Sequence, residues 1–459
     1  MKVITTGLIA GVFSLLLATL PANAQDSSIY VQCPATTDLH DGTPGIPGEI
    51  KCDHLVAGDG MATMADDVDP DGVGPRGKQQ YIFSFARVPL PGIDGAPTVA
   101  SGEYPGWVME QGILAANAPA PTIELDEDDE FFLTLTNVGM AMRPDLFDPH
   151  TVHWHGFPQA ASIFDGVPDS SVSVNMGASL TYYYNAKDAG TYMYHCHVEA
   201  TEHMQMGMLG NLFVRPRQNK LADGSNPFAE FATNPANVAN GGSTPAPAIS
   251  PVGANATHNT GEQYAYNDGD SSTRYDVQYP IQMGSFDPDF HDASLNVQPL
   301  PFAAMKDRYF LLNGRGYPDT TSETVLSTVD PLGKTQNSQK VSSLVTAAPG
   351  QRILLRISNL NITEFYTLGS NLPMQVVGLD ARLLRDGGGN NMYYSTNSLT
   401  LGGGQSADVI IDTNGPDGLP STADDIAPGT YFLYTTNLDR LANDAENFGG
   451  MMTEIRISL

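Results

Sequence analysis

Short runs of apolar and β-branched residues, interrupted every few positions by glycine, proline or asparagine, recur along the chain from about residue 80 onward. Clear examples are residues 131–137, 181–184, 190–194 and 211–214. Short runs of this kind, bounded by turn residues, are typical of β-strands. No segment stands out by the spacing that marks an amphipathic helix. The pattern therefore predicts an all-β protein.

The composition agrees with the strand pattern. The 459 residues include 46 glycines and 33 prolines, and only 16% are charged, which favours turn-rich β-structure. Hydrophobic residues make up 41% of the chain, so wholesale disorder is excluded. Lys and Arg number 22 against 51 Asp and Glu, a net charge of −29. This charge disfavours nucleic acid and anionic membrane surfaces as partners and favours cations and neutral molecules.

The chain divides into two predicted β-domains. The first spans residues 80–216 and the second 276–459, joined by a linker over 217–275 that is rich in Asn, Gly, Ala and Pro. The segment that begins at Gly190 is echoed at Gly429, and the one at His150 is echoed at Leu372. This repetition indicates an internal duplication in which only the first copy keeps histidines at the matching places.

The first 24 residues have the features of a secretory signal peptide. An apolar run from Leu8 to Leu20 is followed by Ala22-Asn23-Ala24, a small-residue cleavage site. No later stretch approaches the roughly 20 apolar residues needed to span a bilayer. We therefore expect a periplasmic or secreted protein.

An irregular acidic extension is expected over residues 25–79. In an oxidising compartment Cys33 and Cys52 are predicted to pair, which leaves Cys196 free. The segment Asp67 to Asp71 resembles the start of a calcium loop, but Lys78 stands where the loop needs a glutamate, so a solvated acidic turn is the alternative. Residues 412–418 are a second candidate calcium loop, and an Asx-rich turn explains them equally well.

Six of the ten histidines fall in two tight groups, and strand parity separates them into two pockets. Successive side chains of a strand point to opposite faces, so His153 and His155 share one face of their strand, and His195 and His197 likewise share one face of theirs. His150 and Cys196 have the other parity. One pocket is therefore predicted to hold His150 and Cys196, and the other His153, His155, His195 and His197.

The first pocket is completed by the loop after Cys196. His203 and Met208 would add a second imidazole and a thioether, with Met206 as the competing thioether. Two imidazoles, a thiolate and a weak thioether are the ligands of a blue, type 1 copper site. The second pocket, with four imidazoles and no carboxylate, suits copper or zinc. Its ligands flank the copper-binding cysteine, so electrons could pass between the sites through one or two residues of backbone.

Several motifs in residues 80–215 and 276–459 resemble the multicopper oxidases of the laccase type. They are Pro121-Thr-Ile, Leu135-Thr-Asn137, His153-Trp-His-Gly156, Asp165-Gly-Val167, His195-Cys-His197, Phe310-Leu-Leu-Asn-Gly314, Arg356-Ile-Ser-Asn359 and Asp408-Val-Ile-Ile-Asp412. The resemblance implies two tandem cupredoxin-like Greek-key β-sandwiches. It also implies that the four histidines of the second pocket are type 2 and type 3 copper ligands of a trinuclear cluster that reduces dioxygen to water.

Two departures from that family shape the expected function. His203 lies seven residues beyond Cys196, where the family has five, and this insertion could reshape the blue site. A complete trinuclear cluster needs eight histidines, and this chain supplies four, with Gln375, Val377 and Tyr434 among the residues at the matching places of the second domain. A homo-oligomer or a partner chain is expected to supply the rest.

The expected function is an exported copper oxidoreductase that oxidises a phenol or a reduced metal ion, with dioxygen as acceptor. A blue-copper protein that only transfers electrons or holds copper is the alternative. A copper nitrite reductase is less favoured, because His153 stands where that family has a catalytic aspartate. The remaining histidines, at positions 40, 54, 258 and 291, are expected on the surface.

Overall fold

The computed structural model describes residues 30–64, 78–230, 256–386, 389–415, 418–444 and 446–458. The predicted signal peptide and the candidate calcium loop at Asp67–Asp71 lie outside these residues. The described chain is built mainly of β-strands, which confirms the all-β prediction. No helix among the described residues is both long enough and apolar enough to traverse a bilayer.

The first β-domain is a sandwich of two four-stranded sheets. Its strands are β1 (Ile50–Thr63), β2 (Gln79–Arg87), β3 (Ala120–Asp126), β4 (Glu130–Gly139), β5 (His153–His155), β6 (Ser179–Asn185), β7 (Gly190–His195) and β8 (Leu209–Arg215). One sheet has the order β2-β1-β4-β6 and the other β3-β8-β7-β5. In β4, the alternating residues Phe131, Leu133 and Leu135 enter the core between the sheets.

The second β-domain is dominated by one ten-stranded sheet. The strands of this half of the chain are β9 (Gln263–Tyr264), β10 (Arg274–Tyr275), β11 (Val277–Phe286), β12 (Tyr309–Leu312), β13 (Leu326–Val329), β14 (Thr335–Gln339), β15 (Val345–Ala347), β16 (Arg352–Asn359), β17 (Tyr366–Leu379), β18 (Arg382–Leu383), β19 (Tyr394–Leu401), β20 (Gln405–Asp412), β21 (Gly429–Thr435) and β22 (Met452–Ile457). The order of the ten-stranded sheet is β12-β11-β16-β20-β17-β21-β22-β15, with β18 and β19 paired to β17. Phe310 of β12 and Val345 of β15 share one core, so the sheet folds over on itself.

Short helices interrupt the strands of the described chain. They include α1 (Tyr104–Gly112), α2 (Ala200–Gln205) and α3 (Pro288–Leu295). Single 3₁₀ turns occur at Val99–Ser101, Ser162–Phe164, Arg217–Lys220, Phe302–Ala304, Asp319–Thr321 and Leu438–Leu441. Proline at the start of α1 and of α3 suits the first turn of a helix, where its missing N–H has no acceptor to lose. The α2 helix is the one that concerns the candidate site.

The prediction of an irregular extension over residues 25–79 is wrong for residues 50–63. Residues 50–63 form β1, which pairs with β2 and, in parallel, with β4. The strand is buried on both faces through much of its length, so polar His54 and Asp59 lie inside, and the alternation expected of a half-exposed strand is missing. The predicted disulfide between Cys33 and Cys52 is confirmed and ties the preceding segment to β1, while Cys196 is free and buried.

The predicted linker is also more ordered at its ends than its composition suggests. Residues 231–255 lie outside the described residues, but Tyr264 and Tyr266 are buried. The hydroxyl of Tyr266 donates to the Asp408 carboxylate at 2.5 Å. The other oxygen of that carboxylate accepts from Thr191 of β7 at 2.6 Å. This contact fixes the first domain's β7 against the second domain.

The candidate calcium loop at 412–418 begins as an Asx turn. The Asn414 N–H donates to the Asp412 side chain at 3.0 Å, and Arg352 forms an ion pair with the same carboxylate at 3.2 Å. Residues 416–417 lie outside the described residues.

Candidate metal centres

The register between β5 and β7 sets the two histidine groups. His153 pairs directly with His195 across the strands, and Trp154 with Tyr194. The two aromatic residues point into the core, where each is fully buried. The histidines therefore point to the opposite face, as strand parity predicted.

The first cluster brings together His150, Cys196 and His203, all fully buried. The Cys196 Sγ lies 3.2 Å from His203 Nδ1 and 3.8 Å from His150 Nδ1. The backbone N–H of Thr151 faces the same sulfur at 3.5 Å. One sulfur and two imidazole nitrogens thus converge on a single point that water does not reach.

The α2 helix accommodates the two extra residues between Cys196 and His203. Glu199 starts the turn in the left-handed region, with φ 44°, and its carbonyl accepts from His203 N–H at 3.0 Å. One helical turn therefore takes up the insertion and returns His203 to the cysteine. After the helix, Met208 N–H donates to the His203 carbonyl, and Cys196 N–H donates to the Met208 carbonyl. Met208 and its competitor Met206 are both fully buried in the first domain's core.

Burial and neighbouring charge act differently on the two imidazoles of this cluster. Burial, with the adjacent His203, holds the pKa of His150 well below its usual value. Burial also works to lower the pKa of His203, but the Cys196 side chain and the Asp148 carboxylate outweigh it and raise this pKa to about 10. The Asp148 carboxylate lies 3.8 Å from His203 Nε2, whereas Cys196 faces the other ring nitrogen, Nδ1. The carboxylate therefore stabilises positive charge on the His203 ring.

The second cluster brings together His153, His155 and His195, with the His197 ring beside them. Ring centroids lie 5.2 Å apart for His153 and His195, and 5.1 Å apart for His153 and His197. His155 Nδ1 approaches His195 Nε2 at 3.4 Å. The four imidazoles therefore surround one space on the face opposite the core.

Backbone carbonyls set the tautomers of two of these rings. His153 Nδ1 lies 2.5 Å from the Asp165 carbonyl, and His195 Nδ1 lies 2.7 Å from the Cys196 carbonyl. A carbonyl oxygen can only accept, so each Nδ1 carries the proton and each Nε2 keeps its lone pair. Burial lowers the pKa of His153 and of His155, and that of His195 to about 3. All three imidazoles are therefore neutral at physiological pH and able to bind a metal ion.

A cleft of about 750 Å³ lies in front of these histidines, and the second domain forms its other wall. That wall consists of residues 360–365 and 402–405. Gly404 is so close that a Cβ on it would lie 2.6 Å from His155 Nε2. Among the described residues that line the cleft, the second domain supplies no histidine. This wall was missed by sequence reasoning, because its mixture of apolar residues, glycines and scattered polar residues forms no metal-ligand motif.

The prediction that the other four histidines are on the surface is wrong for three of them. His54, His258 and His291 are buried. His54 Nδ1 contacts the Tyr104 hydroxyl and Nε2 contacts Thr136, both at 2.7 Å. The local sequences of His54 and His291 gave no sign of burial, since their rings contact distant parts of the chain.

Residues 107–219 match a family model described as multicopper oxidase. The chain is 33% identical over 124 residues to Multicopper oxidase MCE of Talaromyces pinophilus, covering 27% of this chain and 19% of that protein. It is 31% identical over 140 residues to Laccase-1 of Emericella nidulans, covering 29% of this chain and 20% of that protein. The matched stretch thus spans about a fifth of the length of these relatives.

Two solved structures resemble the whole described chain. Blue Copper Oxidase from Nitrosomonas europaea has a TM-score of 0.53 at 18% identity, covering 89% of this chain and 86% of that one. Multicopper Oxidase mgLAC has a TM-score of 0.54 at 18% identity, covering 90% and 87%. At this identity the likeness establishes the cupredoxin fold.

Proposed function

We propose that this protein is an exported copper-dependent oxidoreductase of the multicopper oxidase type, a proposal supported by the match of residues 107–219 to the multicopper oxidase family model. It would take single electrons from a phenol or a reduced metal ion at a type 1 site and pass them to dioxygen. The observation that carries the proposal is the convergence of Cys196 Sγ with His150 Nδ1 and His203 Nδ1 in a buried cluster, next to four imidazoles on the other face.

The donor atoms fit copper. The first cluster offers two imidazole nitrogens and a thiolate without a carboxylate ligand, a set suited to copper in electron transfer. We assign His150, Cys196 and His203 as its ligands, with Met208 as the axial ligand. The second cluster offers imidazoles, and we assign His153, His155, His195 and His197 as type 2 and type 3 ligands. Bound copper would supply one-electron transfer at the first site and dioxygen reduction at the second.

The chain itself prepares and connects the two sites. The carbonyls of Asp165 and Cys196 hold the His153 and His195 rings with Nε2 turned outward for a metal ion. Because Cys196 lies between His195 and His197, its backbone is a short covalent path between the sites. The Cys196 carbonyl also accepts from His195 Nδ1 at 2.7 Å, which adds a hydrogen-bonded path of similar length. Burial of the first cluster excludes water, so the site need not rearrange solvent when its charge changes.

Charge and covalent structure support the choice of donor and compartment. The net charge of −29 favours cationic or neutral donors over anions such as nitrite. The Cys33–Cys52 disulfide is stable in oxidising compartments, which supports export to the periplasm or beyond.

The four-histidine site is half of a trinuclear site, and we propose that a second copy of the chain, or a partner chain, completes it. A two-fold pairing of first domains would be isologous and would bring eight imidazoles together, provided that the second-domain wall at residues 360–365 and 402–405 moves aside. If the site is never completed, the protein is instead an electron-transfer or copper-holding protein, and the four-histidine cleft binds at most a single metal ion.

Two substitutions test the proposal. Cys196→Ser should remove the intense thiolate-to-copper absorption, since Ser fills nearly the same space without supplying the sulfur. His153→Ala should abolish oxygen uptake and leave the blue absorption in place. A copper-loaded wild type without blue absorption would overturn the type 1 assignment. Oxygen uptake that survives in His153→Ala would remove the cleft from the reaction.

A further inference from the structure

Among the described residues, Gln205 carries the hydrogen bonds that tie the loop of His203 and Met208 to the second domain. The carbonyl of Gln205 lies 3.0 Å from His291 Nε2, a ring of the second domain that is fully buried. The side-chain amide of Gln205 donates to Asp307 Oδ1 at 2.8 Å. Gln205 lies at the end of α2 and is itself buried. The position of this loop is therefore set partly by another domain.

Asp307 also binds the wall of the four-histidine cleft. Its second oxygen, Oδ2, accepts from the Thr363 hydroxyl, from Asn361 Nδ2 at 3.3 Å and from the Ser285 hydroxyl at 2.5 Å. Asn361 and Thr363 both line the cleft. One carboxylate thus joins the α2 loop, through one oxygen, to the cleft wall, through the other.

The Asn361 contacts extend this connection along the wall. Asn361 Oδ1 accepts from the backbone N–H groups of Thr363 and Glu364 at 2.7 and 2.9 Å. Its own N–H donates to Asn359 Oδ1 at 2.8 Å, and the Asn359 carbonyl accepts from Gly404 N–H at 2.8 Å. Gly404 is the residue that abuts His155. A chain of hydrogen bonds therefore leads from Gln205 to the glycine behind His155.

We infer that Asp307 is a positioning residue that fixes the type 1 ligand loop relative to the wall of the four-histidine cleft, so that a change at either site alters the other. The inference rests on the proposed function. Buried carboxylates demand donors for both oxygens, and here three of the four donors, Gln205, Asn361 and Thr363, belong to the ligand loop or line the cleft. The carboxylate cannot turn to favour one side without leaving donors of the other unpaired.

Asp307→Asn tests the inference directly. The amide nitrogen of Asn cannot accept, so it deprives either Gln205 Nε2 on the loop side or Asn361 Nδ2 on the cleft side of its acceptor, and the connection weakens there. In the copper-loaded protein the thiolate-to-copper absorption maximum and the copper hyperfine splitting should shift. The cleft of this variant should bind copper about tenfold more weakly than the wild-type cleft, as measured by dialysis against a chelator. A factor of about ten is the lower end of the effect seen when a residue that supports a metal ligand is replaced.

Asp268→Asn is the matched control. Asp268 is a fully buried carboxylate that accepts from Gln218 at 2.8 Å and from the Thr273 N–H at 2.6 Å, away from both clusters. This variant should lose stability without any change in the copper spectra. If Asp307→Asn behaves in the same way, Asp307 is only structural and the inference is wrong.

Two milder variants keep the test decisive if Asp307→Asn does not fold. Thr363→Val removes a donor on the cleft side and should still shift the blue spectrum. Gln205→Leu removes the donor on the loop side and should still weaken copper retention in the cleft. If each variant affects only its own site, the inference is refuted while the proposed function stands. A wild type without blue absorption refutes the proposed function and the inference with it.

Discussion

Replacing Gly404 with alanine is expected to weaken metal binding in the four-histidine cleft and to leave the ligands of the His150–Cys196–His203 cluster in place, with only the shift of the absorption maximum that the Asp307 link transmits. Gly404 has φ +87°, and a Cβ there would lie 2.6 Å from His155 Nε2 and 2.9 Å from the neighbouring ring carbon. Ordinary contacts of a Cβ begin at 3.4 Å, so the His155 ring or the loop must retreat by about 0.8 Å. His155 Nδ1 faces His195 at 3.4 Å on the other side, which leaves the ring little room.

Two effects of this substitution have to be separated. The left-handed backbone makes alanine unfavourable by about 1–2 kcal/mol wherever it is placed. The displaced ring should in addition weaken metal binding in the cleft by about 10- to 100-fold, as expected when a ligand loses its support. Misplacement of reacting groups by about 1 Å reduces turnover by a similar factor.

Gly333→Ala is the control that isolates the ring displacement. Gly333 has φ +81°, and its added Cβ would meet nothing within 4 Å. Both variants should lose similar stability in urea unfolding. Only Gly404→Ala should lose copper from the cleft in a chelator titration, while the blue absorption remains in both. Equal copper retention in the two variants would refute the close contact between Gly404 and His155.

Two further predictions concern stability. Burial lowers the pKa of His54 to about 4, so unfolding takes up a proton below pH 6.5 and stability falls as the pH drops from about 6.5 to 4, by about 3 kcal/mol in all. His54→Gln should flatten that pH dependence in urea titrations at pH 7 and pH 4.5, and equal slopes in both proteins would contradict the assignment. Replacing Cys33 and Cys52 with alanine removes a disulfide that closes a loop with a sequence separation of 19, and it should lower the free energy of unfolding by about 3 kcal/mol. The blue absorption should not change. An unchanged midpoint of urea unfolding would contradict the stabilising role of the disulfide.

The division into two side-chain clusters could be predicted because it depends on local geometry. Alternation along β5 and β7 places His153 and His195 on one face, and it needs no knowledge of the rest of the fold. The return of His203 to Cys196 was less certain, because a two-residue insertion can be absorbed in several ways. The structure absorbs it in one turn of α2.

Features that depend on distant contacts were not accessible in this way. The strand β1 was missed because burial on both faces removes the alternation of apolar and polar residues that marks a strand. For the same reason the sequence predicts an exposed His54, which is buried. The wall around Gly404 consists of residues whose chemistry is unremarkable, and its role appears only when the second domain is placed against His155. The link through Asp307 joins residues about a hundred positions apart.

The central claim is that the chain forms a copper oxidase whose four-histidine site is completed by another chain. The most direct measurement is oxygen consumption per chain, with a phenol or ferrous iron as donor, in copper-loaded fractions separated by oligomeric state. The account predicts uptake by an oligomer or complex that contains more than four cleft histidines, and none by a verified monomer. Oxygen consumption by the monomer at the oligomer's rate would contradict the shared site. No uptake by any fraction would contradict the oxidase function and leave electron transfer as the role of the blue site.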